Sequence, residues 1–572
     1  MAGAPDWFVD PRTGHHAPRD RYAFDINHRL VDQVGTIKYV WETSRHHHVT
    51  MLAAAYFITG DDRYAELVAR HLQSWWAQNP FLSGVHWTSG IELGIRLIAW
   101  VWTRRLLDDW SPVRALFEEN DVFIGQLFHH QAYLAGLPSC GSSANNHIIA
   151  EMAGQFAACC GFPYFPETSG WREDAAARLR HELPRQTFSS GLNRELATAY
   201  HGFVLELSLA AGIEGEAAGQ PLGREYWETM RRMIDALAAI VDTKLQPPRQ
   251  GDDDSGQGLL LDAPDFDRWA SLLATGRSLF GACEWWPEVP QADLRTVLWT
   301  RLAHAPEIEG RRSERRPSLL PDAGMAILRH RAGATDEIWC RCDHGPHGYL
   351  SIAAHAHADA LSVEVRYGGV DVLSDPGTYA YQGEAEWRTY FRSTIAHNCL
   401  ELNGTSQSVV GGPFMWRRAA RSTLIDVLGL ENGSVTEWCA THDGYRRQRP
   451  FATHQRRVAL DREAECIVIS DSLACSGQHP CRLAFHLGPT IDCRLDGTRA
   501  RLRWKQGERL YGATLLLPGE LDWTATRGRS DPPMGWYSPA FGVKIPSTSL
   551  LGAGTLGAGT SLVTELRFRA GS

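Results

Sequence analysis

The stretch EIEGRRSERRP, residues Glu307–Pro317, divides this chain of 572 residues into two parts with different sequence patterns. It is rich in charge and has no apolar periodicity, which is typical of a linker. A chain of this length is too long for one ordinary hydrophobic core. We therefore predict a domain at residues 1–305, a linker at 306–320 and a second domain at 321–572.

The part before the linker has a helical pattern. Runs such as His48–Phe57, Tyr64–Trp76 and Gly90–Leu107 carry apolar residues at helical spacing. Short loops with Gly, Pro or Asp, such as Gly60–Asp62, separate many of these runs. Many antiparallel helices with brief connections indicate a helical solenoid or an (α/α) toroid. No strict repeat is visible, which favours the toroid.

The part after the linker consists of short runs that tend to alternate apolar and polar residues. Examples are Ala323–His330, Glu337–Cys342, Leu361–Tyr367 and Val370–Leu373. Glycine-rich turns separate them, so we predict an antiparallel β-sandwich and, overall, a multidomain α+β fold. The GxGxxG match at Gly552–Gly557 has no strand-to-helix context, and we interpret it as a glycine-rich turn.

Composition narrows the classes of function. The net charge of −9 disfavours nucleic-acid binding. No apolar run is long enough for a membrane span, and the first residues lack the pattern of a signal peptide. The 12 cysteines form no CxxC pair, so we expect buried free thiols rather than a disulfide scaffold or a zinc finger. Most of the 21 tryptophans are expected in the core.

A candidate metal site lies in the second part. His357, Asp375 and His397 are spread over neighbouring predicted strands, and their side chains converge if those strands pair. Two imidazoles and a carboxylate suit a divalent ion, with Zn²⁺ as the first choice and Mn²⁺ or Ca²⁺ as alternatives. The competing interpretation is a hydrogen-bonded structural cluster at a corner of the sheet.

A second polar cluster lies in the helical part. Asn145 and Asn146 precede an apolar helical run, and one asparagine is accounted for as a helix cap. The other asparagine and His147 have no such role in folding. Tyr200 and His201 fall within a further helical run, where one of the two is expected to be core.

Taken together, these motifs resemble the heparinase II/III-like polysaccharide lyases, which include alginate, heparin and broader glycosaminoglycan lyases. The motifs follow the order of that family, and they are Asn145–His147 with Glu151, Asn193–His201, His355–Asp359, Asp375–Tyr379 and Arg392–Asn398. The resemblance implies an N-terminal α/α toroid joined to a C-terminal antiparallel β-sandwich, in agreement with the patterns above.

The chemistry that the resemblance implies is β-elimination at a uronic acid, which leaves a 4,5-unsaturated end. The C5 hydrogen becomes removable when the charge of the neighbouring carboxylate is neutralised. By similarity, Asn146 and His147 hydrogen-bond that carboxylate, Tyr200 is a general acid/base, and Tyr390 is a candidate for a second one. The metal at His357, Asp375 and His397 would then be mainly structural.

The implied partner is an acidic polysaccharide or oligosaccharide, such as heparan sulfate, hyaluronan, chondroitin sulfate or alginate. Candidate substrate-binding residues are Trp41, Glu42, Arg45, Trp87, Arg96, Glu151, Asn193, His201, His355, Arg388 and Arg392. Solvated helix ends are an equally good interpretation for several of them.

Two other functions stay open at this point. One is a carbohydrate-binding or exopolysaccharide-assembly protein without turnover, and the other is an α/α-toroid glycoside hydrolase, which requires two carboxylates across the bond. A periplasmic or secreted location follows from the resemblance, whereas the lack of a visible leader leaves a cytoplasmic one open. The sequence does not distinguish a monomer from a homodimer.

Overall fold

The computed structural model describes residues 3–263, 266–290, 292–303, 305–308, 310–430 and 433–569. Its first part is helical, as predicted. Within the described residues the helices there are α1 (Val31–Val34), α2 (Ile37–Ser44), α3 (His47–Thr59), α4 (Asp62–Gln78), α5 (Gly90–Leu106), α6 (Val113–Leu116), α7 (Asp121–Gly136), α8 (Asn146–Gly161), α9 (Thr168–Arg185), α10 (Thr198–Ala217), α11 (Arg224–Ile240), α12 (Arg268–Phe280) and α13 (Leu294–Leu302).

Helix α8 begins where the sequence predicts a cap. Asn145 is the N-cap residue, and its side chain accepts a hydrogen bond from the backbone N–H of His147 at 3.3 Å. The helix then packs directly on α5, because Gly94 and Gly154 face each other across the contact. A Cβ atom built on Gly154 would lie 2.1 Å from the backbone oxygen of Gly94. This close packing holds the start of α8 in place.

The second part is built from antiparallel strands and one further helix, α14 (Ala385–Phe391). The strands are β1 (Leu319–Leu320), β2 (Met325–His330), β3 (Ile338–Asp343), β4 (Val363–Tyr367), β5 (Val370–Leu373), β6 (Leu400–Leu402), β7 (Val409–Gly412), β8 (Met415–Arg418), β9 (Ser422–Leu428), β10 (Val435–His442), β11 (Ala452–Asp461), β12 (Cys466–Cys475), β13 (His479–His486), β14 (Asp492–Asp496), β15 (Arg499–Gln506), β16 (Arg509–Leu516), β17 (Asp522–Arg527), β18 (Arg529–Ser530), β19 (Pro533–Met534), β20 (Trp536–Ala540), β21 (Val543–Pro546), β22 (Thr548–Leu556) and β23 (Ser561–Arg569).

Three larger sheets surround the core of this part. Their strand orders are β1-β2-β3-β4-β5, β14-β15-β16-β23-β12-β11-β10-β9 and β17-β22-β13-β6. Inward residues of facing sheets, such as Val458 and Ile469 on β11 and β12 and Leu550 on β22, share one buried cluster. The predicted fold class, a helical domain followed by an antiparallel β domain, is confirmed.

One local expectation was wrong. Gly552 and Gly554 lie inside strand β22 and not in a turn. The glycines are needed for packing, because a Cβ atom on Gly552 would lie 2.6 Å from the indole ring of Trp523 on β17. The change from helix to strand falls between Leu302 and Leu319, and the exact linker limits of 306–320 stay a prediction.

The helical and β domains share an apolar interface. Leu196, Ile240 and other residues of the helical domain pack against Met325, Ile327 and Trp339 of the β domain, all of them buried. The indole N–H of Trp339 donates to the backbone oxygen of Ile240 at 3.0 Å, which satisfies a carbonyl at the end of α11. This interface fixes the two walls of the cleft described below. No described helix is long and apolar enough to cross a membrane.

Candidate active-site cleft

A cleft of about 190 Å³ lies between the two domains. The polar cluster of the helical domain forms one wall and the histidine-rich segment of the β domain forms the other. Its lining includes Trp41, Arg45, Glu92, Asn146, His147, Tyr200 and Asp254 from the helical domain and His355, Tyr381, Phe414 and Phe541 from the β domain. The structure therefore brings together six of the predicted site residues, namely Trp41, Arg45, Asn146, His147, Tyr200 and His355.

Tyr200 lies at the junction of the two walls. It sits in the first turn of α10, and its ring stacks on the imidazole of His355 with centroids 3.8 Å apart. Its hydroxyl lies 3.0 Å from the hydroxyl of Tyr381. Burial raises the pKa of Tyr200 well above its usual value, with a further contribution from the charge of Asp254, and the hydrogen bond with Tyr381 opposes this rise. Tyr200 is therefore a neutral phenol in the free protein.

Asn146 faces a buried carboxylate. Its Nδ2 atom lies 3.0 Å from each oxygen of Glu195, and its backbone N–H donates to the same carboxylate at 3.1 Å. Asn145 Nδ2 adds another hydrogen bond at 3.1 Å. Burial raises the pKa of Glu195 in spite of these donors. The Oδ1 atom of Asn146 is buried without a hydrogen-bond partner.

The two histidines of the cleft are in different electrostatic states. Burial and the nearby charge of His355 lower the pKa of His147 to about 4, so its imidazole is neutral near pH 7. Burial also acts against charge on His355, but Asp252 and Glu195 outweigh it and raise the pKa of His355. His355 Nδ1 lies 3.2 Å from Asp252, and its Nε2 lies 3.7 Å from Glu195.

Asp252 connects the cleft to the predicted metal site. This fully buried carboxylate belongs to the helical domain but contacts four side chains of the β domain, of which Thr378 donates a hydrogen bond at 3.4 Å. It lies 3.2 Å from His355 Nδ1 and 3.0 Å from His357 Nε2, and it accepts a hydrogen bond from Arg388 Nη2 at 2.8 Å. Burial would raise the pKa of Asp252, but the charge of Arg388 holds it well below the usual value.

The three predicted metal ligands meet in the structure. One potential ligand atom from each of His357, Asp375 and His397 lies within 4.8 Å of the other two, and all three residues are buried. His357 Nδ1 and His397 Nε2 have no hydrogen-bond partner. The other ring nitrogen of His357, Nε2, is hydrogen-bonded to Asp252. A carboxylate in this position commonly orients an imidazole that binds a metal ion. The side chains present therefore fit a divalent ion.

Five predicted substrate-binding residues lie in the protein interior and do not line the cleft. Trp87, Arg96, Glu151, Asn193 and His201 are each at most 2% exposed. Arg96 donates to the backbone oxygen of Ser44 at 2.8 Å, and Glu151 accepts two hydrogen bonds from Ser139. Their contacts stabilise the helical domain, so the structure gives none of them a route to a substrate.

Three further predictions need correction. Glu42 forms ion pairs with Lys38, Arg45 and His47 and does not line the cleft. Arg388 and Arg392 both donate to the backbone oxygen of Pro413, each with one bond of 2.9 Å, and so hold the β7–β8 hairpin instead of a substrate. Arg388 also pairs with Asp252, whereas the guanidinium of Arg392 is held by backbone oxygens and lies over the ring of Trp416, 5.1 Å from its centroid.

Tyr390, the predicted second acid/base, lies outside the cleft. It is buried in an aromatic cluster with Tyr379, Phe391 and Trp387. Burial raises the pKa of Tyr390 further. The second phenol of the cleft is Tyr381. The sequence analysis missed it because the sequence does not show which of the two nearby tyrosines, Tyr381 or Tyr390, faces the cleft once the chain is folded.

Asp252 and Glu195 were also missed as site residues. Glu195 was visible beside Asn193 but had no assigned role. Asp252 belongs to the acidic run Asp252–Asp254 after Gly251, which is an available signal for a site loop. The pairing of Asp252 with residues more than a hundred positions away became visible only in the folded chain.

Two family models together match most of the chain. The one described as Heparinase II/III N-terminus matches residues 13–275, and the one described as Heparinase II/III-like, C-terminal, matches residues 312–565. This chain belongs to the heparinase II/III-like family. The matched regions contain every member of the cleft and of the metal cluster named above.

Relatives in this family carry the name heparin-sulfate lyase. One from Bacteroides stercoris is 23% identical over 387 residues, which cover 64% of this chain and 54% of the relative. Another from Pedobacter heparinus is 25% identical over 452 residues, covering 76% of this chain and 60% of the relative. The chain thus spans 54% to 60% of the length of these two heparinase II/III-like proteins.

Solved structures share the fold. The crystal structure of Heparinase III superposes with a TM-score of 0.71 at 15% sequence identity, covering 99% of this chain and 83% of that chain. The likeness extends over both domains, so the toroid-plus-sandwich architecture of the family applies to the whole described chain.

Proposed function

We propose that this protein is a polysaccharide lyase that cleaves a uronate-containing polysaccharide by β-elimination. The observation that carries the proposal is the convergence of Tyr200, His147 and His355 with the Asn146–Glu195 pair in one interdomain cleft. Those groups are the donors and the proton carrier that elimination at a uronic acid requires. The names of the relatives, which are heparin-sulfate lyases, support the same class of reaction.

The first requirement is neutralisation of the substrate carboxylate, which makes the C5 hydrogen acidic. In the free protein the Asn146 amide donates to Glu195. A substrate carboxylate is bound by Asn146 when it replaces Glu195 as the acceptor. The raised pKa of Glu195 favours this exchange, because a protonated carboxyl group is a weaker acceptor. His147 and His355 supply further ring N–H groups from opposite walls.

The second requirement is a group that moves protons. As a neutral phenol, Tyr200 is ready to donate a proton to the leaving glycosidic oxygen. To act as the base at C5, Tyr200 must first lose its own proton to solvent, and the resulting phenolate is stabilised by the Tyr381 hydroxyl at 3.0 Å. The phenolate then takes the C5 hydrogen as a proton and passes it to the leaving glycosidic oxygen as the bond from that oxygen to C4 breaks. We therefore assign Tyr200 as the general acid/base and Tyr381, in place of Tyr390, as its hydrogen-bond partner.

A divalent ion at His357, Asp375 and His397 is part of the proposal, with Zn²⁺ as the first candidate. When bound, such an ion cross-links the histidine-rich loop to the strand end at Asp375 and adds positive charge to the β domain wall. The orphaned nitrogens of His357 and His397 support this assignment. The potential ligands lie behind Asp252 and His355, so a bound ion would position the wall of the cleft.

The hydrogen bonds that hold the carboxylates of the cleft disfavour a glycoside hydrolase. Glu92 receives two hydrogen bonds from Arg45, at 2.7 and 2.8 Å, and Glu195 is held by two asparagines. Hydrolysis needs two carboxylates free to work on opposite sides of the bond. Among the described lining residues only Asp254 is left, and it lies 3.7 Å from Lys38.

The test is the ultraviolet absorbance of the unsaturated uronate product. We expect the wild-type protein to increase this absorbance with at least one of heparan sulfate, hyaluronan, chondroitin sulfate and alginate. The Tyr200→Phe variant should lose at least about a thousandfold in turnover and keep its melting temperature, because only a hydroxyl is removed. Absorbance that stays flat with every polymer, or a fully active Tyr200→Phe variant, would contradict the proposed function.

A further inference from the structure

A second groove lies on the β domain, at the base of the hairpin formed by β7 and β8. It has a volume of about 710 Å³ and is lined by Asn403, Thr405, Ser406, Ser408, Val409, Val410, Arg418, Arg447, Gln448 and Arg449. Three of these residues are arginines, and no carboxylate is among the described lining residues. Arg418 and Arg449 are exposed, as are the neighbouring Arg417 and Arg446.

The charge of this groove differs from that of the cleft. In the cleft, Arg45 is bound to Glu92 and Lys38 lies 3.7 Å from Asp254, so carboxylates offset these two positive charges. Of the described lining residues there, the exposed Arg29 has no ion-pair partner. In the groove, Arg418 and Arg449 have no ion-pair partner within the part of the chain that the structure describes. On a protein of net charge −9, an uncompensated basic patch concentrates anions locally.

The same hairpin connects the groove to the cleft. Val409 and Arg418 at its base line the groove, and Phe414 at its tip lines the cleft. Five positions separate Val409 from Phe414, which corresponds to at most about 17 Å of extended chain. The hairpin is also held firmly, because Arg392 donates to the backbone oxygens of Gly412 and Pro413 at 2.7 and 2.9 Å.

We propose that this groove, made by Arg418, Arg447 and Arg449, is a second binding site for an anionic polysaccharide whose neighbouring segment occupies the cleft. The proposal rests on the proposed function for the identity of the polymer. Arg447 is fixed by a hydrogen bond to the backbone oxygen of Gln407 at 2.5 Å, while Arg418 and Arg449 supply solvent-exposed charges. Val409 and Val410 offer apolar contact to sugar rings.

The groove suits a polysaccharide better than a nucleic acid. Proteins that bind single strands stack the bases on exposed aromatic rings. The described residues that line this groove include no aromatic side chain, and the nearby exposed ring of Phe451 is covered by the guanidinium of Arg449, 4.1 Å from its centroid. A uronate polymer needs only spaced cations and small apolar contacts, which the groove provides.

The experiment measures polymer binding without turnover. In the Tyr200→Phe background, affinity electrophoresis through gels containing hyaluronan, alginate or heparan sulfate gives a dissociation constant for each polymer. We expect Arg418→Gln/Arg449→Gln to weaken binding of the preferred polymer about tenfold and to flatten its salt dependence. The matched control, Arg70→Gln/Arg180→Gln, removes the same charge from exposed positions of the helical domain and should change binding less than twofold.

Equal losses in the groove variant and the control, or no loss in either, would overturn the proposal. So would a groove that binds a single-stranded oligonucleotide more tightly than all three polymers. The result of this experiment can be distinguished from failure of the proposed lyase function. If the groove variant loses polymer binding while the wild-type protein forms no unsaturated product, the second site stands and the lyase reaction does not.

Discussion

At the level of single residues, the two tyrosines Tyr381 and Tyr390 make a direct test of the cleft. Tyr381→Phe removes the hydroxyl that lies 3.0 Å from Tyr200. We expect turnover to fall about ten- to a hundredfold, because a phenolate on Tyr200 loses a hydrogen bond worth about 1.5–3 kcal/mol. Tyr390→Phe, in the aromatic cluster outside the cleft, serves as the control and should keep nearly full turnover. The reverse order of effects would restore Tyr390 as the second catalytic phenol.

Glu151 gives a prediction about pH and stability. Burial raises its pKa from the usual 4.5 to about 7, although Ser139 donates to both of its oxygens. The folded state therefore binds a proton more tightly than the unfolded state does. This contribution to stability is complete below about pH 4.5 and is lost as the pH rises to about 7, by roughly 3 kcal/mol.

The Glu151→Gln variant resembles the protonated form, and the Ser139 hydroxyl is able to reverse its role from donor to acceptor. We expect its melting temperature, relative to the wild type, to increase between about pH 5 and about pH 8. The measurement is thermal unfolding of both proteins over that range. A difference in melting temperature that does not change with pH would show that Glu151 is ionised in the folded protein.

Single residues also show what the sequence was able to predict. A helix cap at one of the two asparagines and the trio His357, Asp375 and His397 follow from residue type and spacing. The place of Tyr200 in the cleft was predicted by the family resemblance, since local pattern alone makes it a core residue. The failures are charged residues such as Arg96 and Glu151, whose side chains point inward. Sequence alone gives a polar residue at a helix start but not the direction of its side chain, which depends on how the helices pack.

At the level of secondary-structure elements, the contact between α5 and α8 depends on glycine. A Cβ atom on Gly94 would lie 2.2 Å from the backbone oxygen of Ala150, an atom that cannot move without shifting α8. We expect Gly94→Ala to destabilise the protein by about 2–4 kcal/mol and to lower turnover, because α8 carries Asn146 and His147.

The control for this prediction is Gly125→Ala on α7. A Cβ atom there meets nothing within 4 Å, so the change should stabilise the helix by up to about 1 kcal/mol. Thermal unfolding of both variants provides the measurement. If the two substitutions have the same effect, the close contact between α5 and α8 does not exist in solution.

Many helices and strands could be predicted from the sequence, but the strand β22, which contains two glycines, could not. Helical and alternating patterns gave runs that overlap α3, α4, α5, β2, β3 and β4. Gly552 in β22 was taken for a turn residue because the local sequence carries no trace of Trp523, which packs over it from another strand. Packing against a residue that is distant in sequence can therefore override the local preference of glycine for turns.

At the level of the whole molecule, the cleft exists only because two domains meet. The helical domain supplies Tyr200 and Asp252, and the β domain supplies His355 and His357. Asp252 contacts both histidines, so the cleft and the metal cluster share one carboxylate. We infer that loss of the ion loosens the β domain wall against the helical domain, and that stability and turnover decrease together.

The metal prediction tests this coupling. We expect the purified protein to contain about one divalent ion per chain, since one trio of ligands is formed. Removing the ion with a chelator should lower the melting temperature by several degrees, and Zn²⁺ should restore it better than Mn²⁺ or Ca²⁺. His357→Ala should lower metal content and melting temperature together. The control is His181→Ala on α9, whose side chain is 69% exposed and is not part of the trio, and which should change neither. A metal-free wild-type protein with an unchanged melting temperature would leave the cluster as a hydrogen-bonded network only.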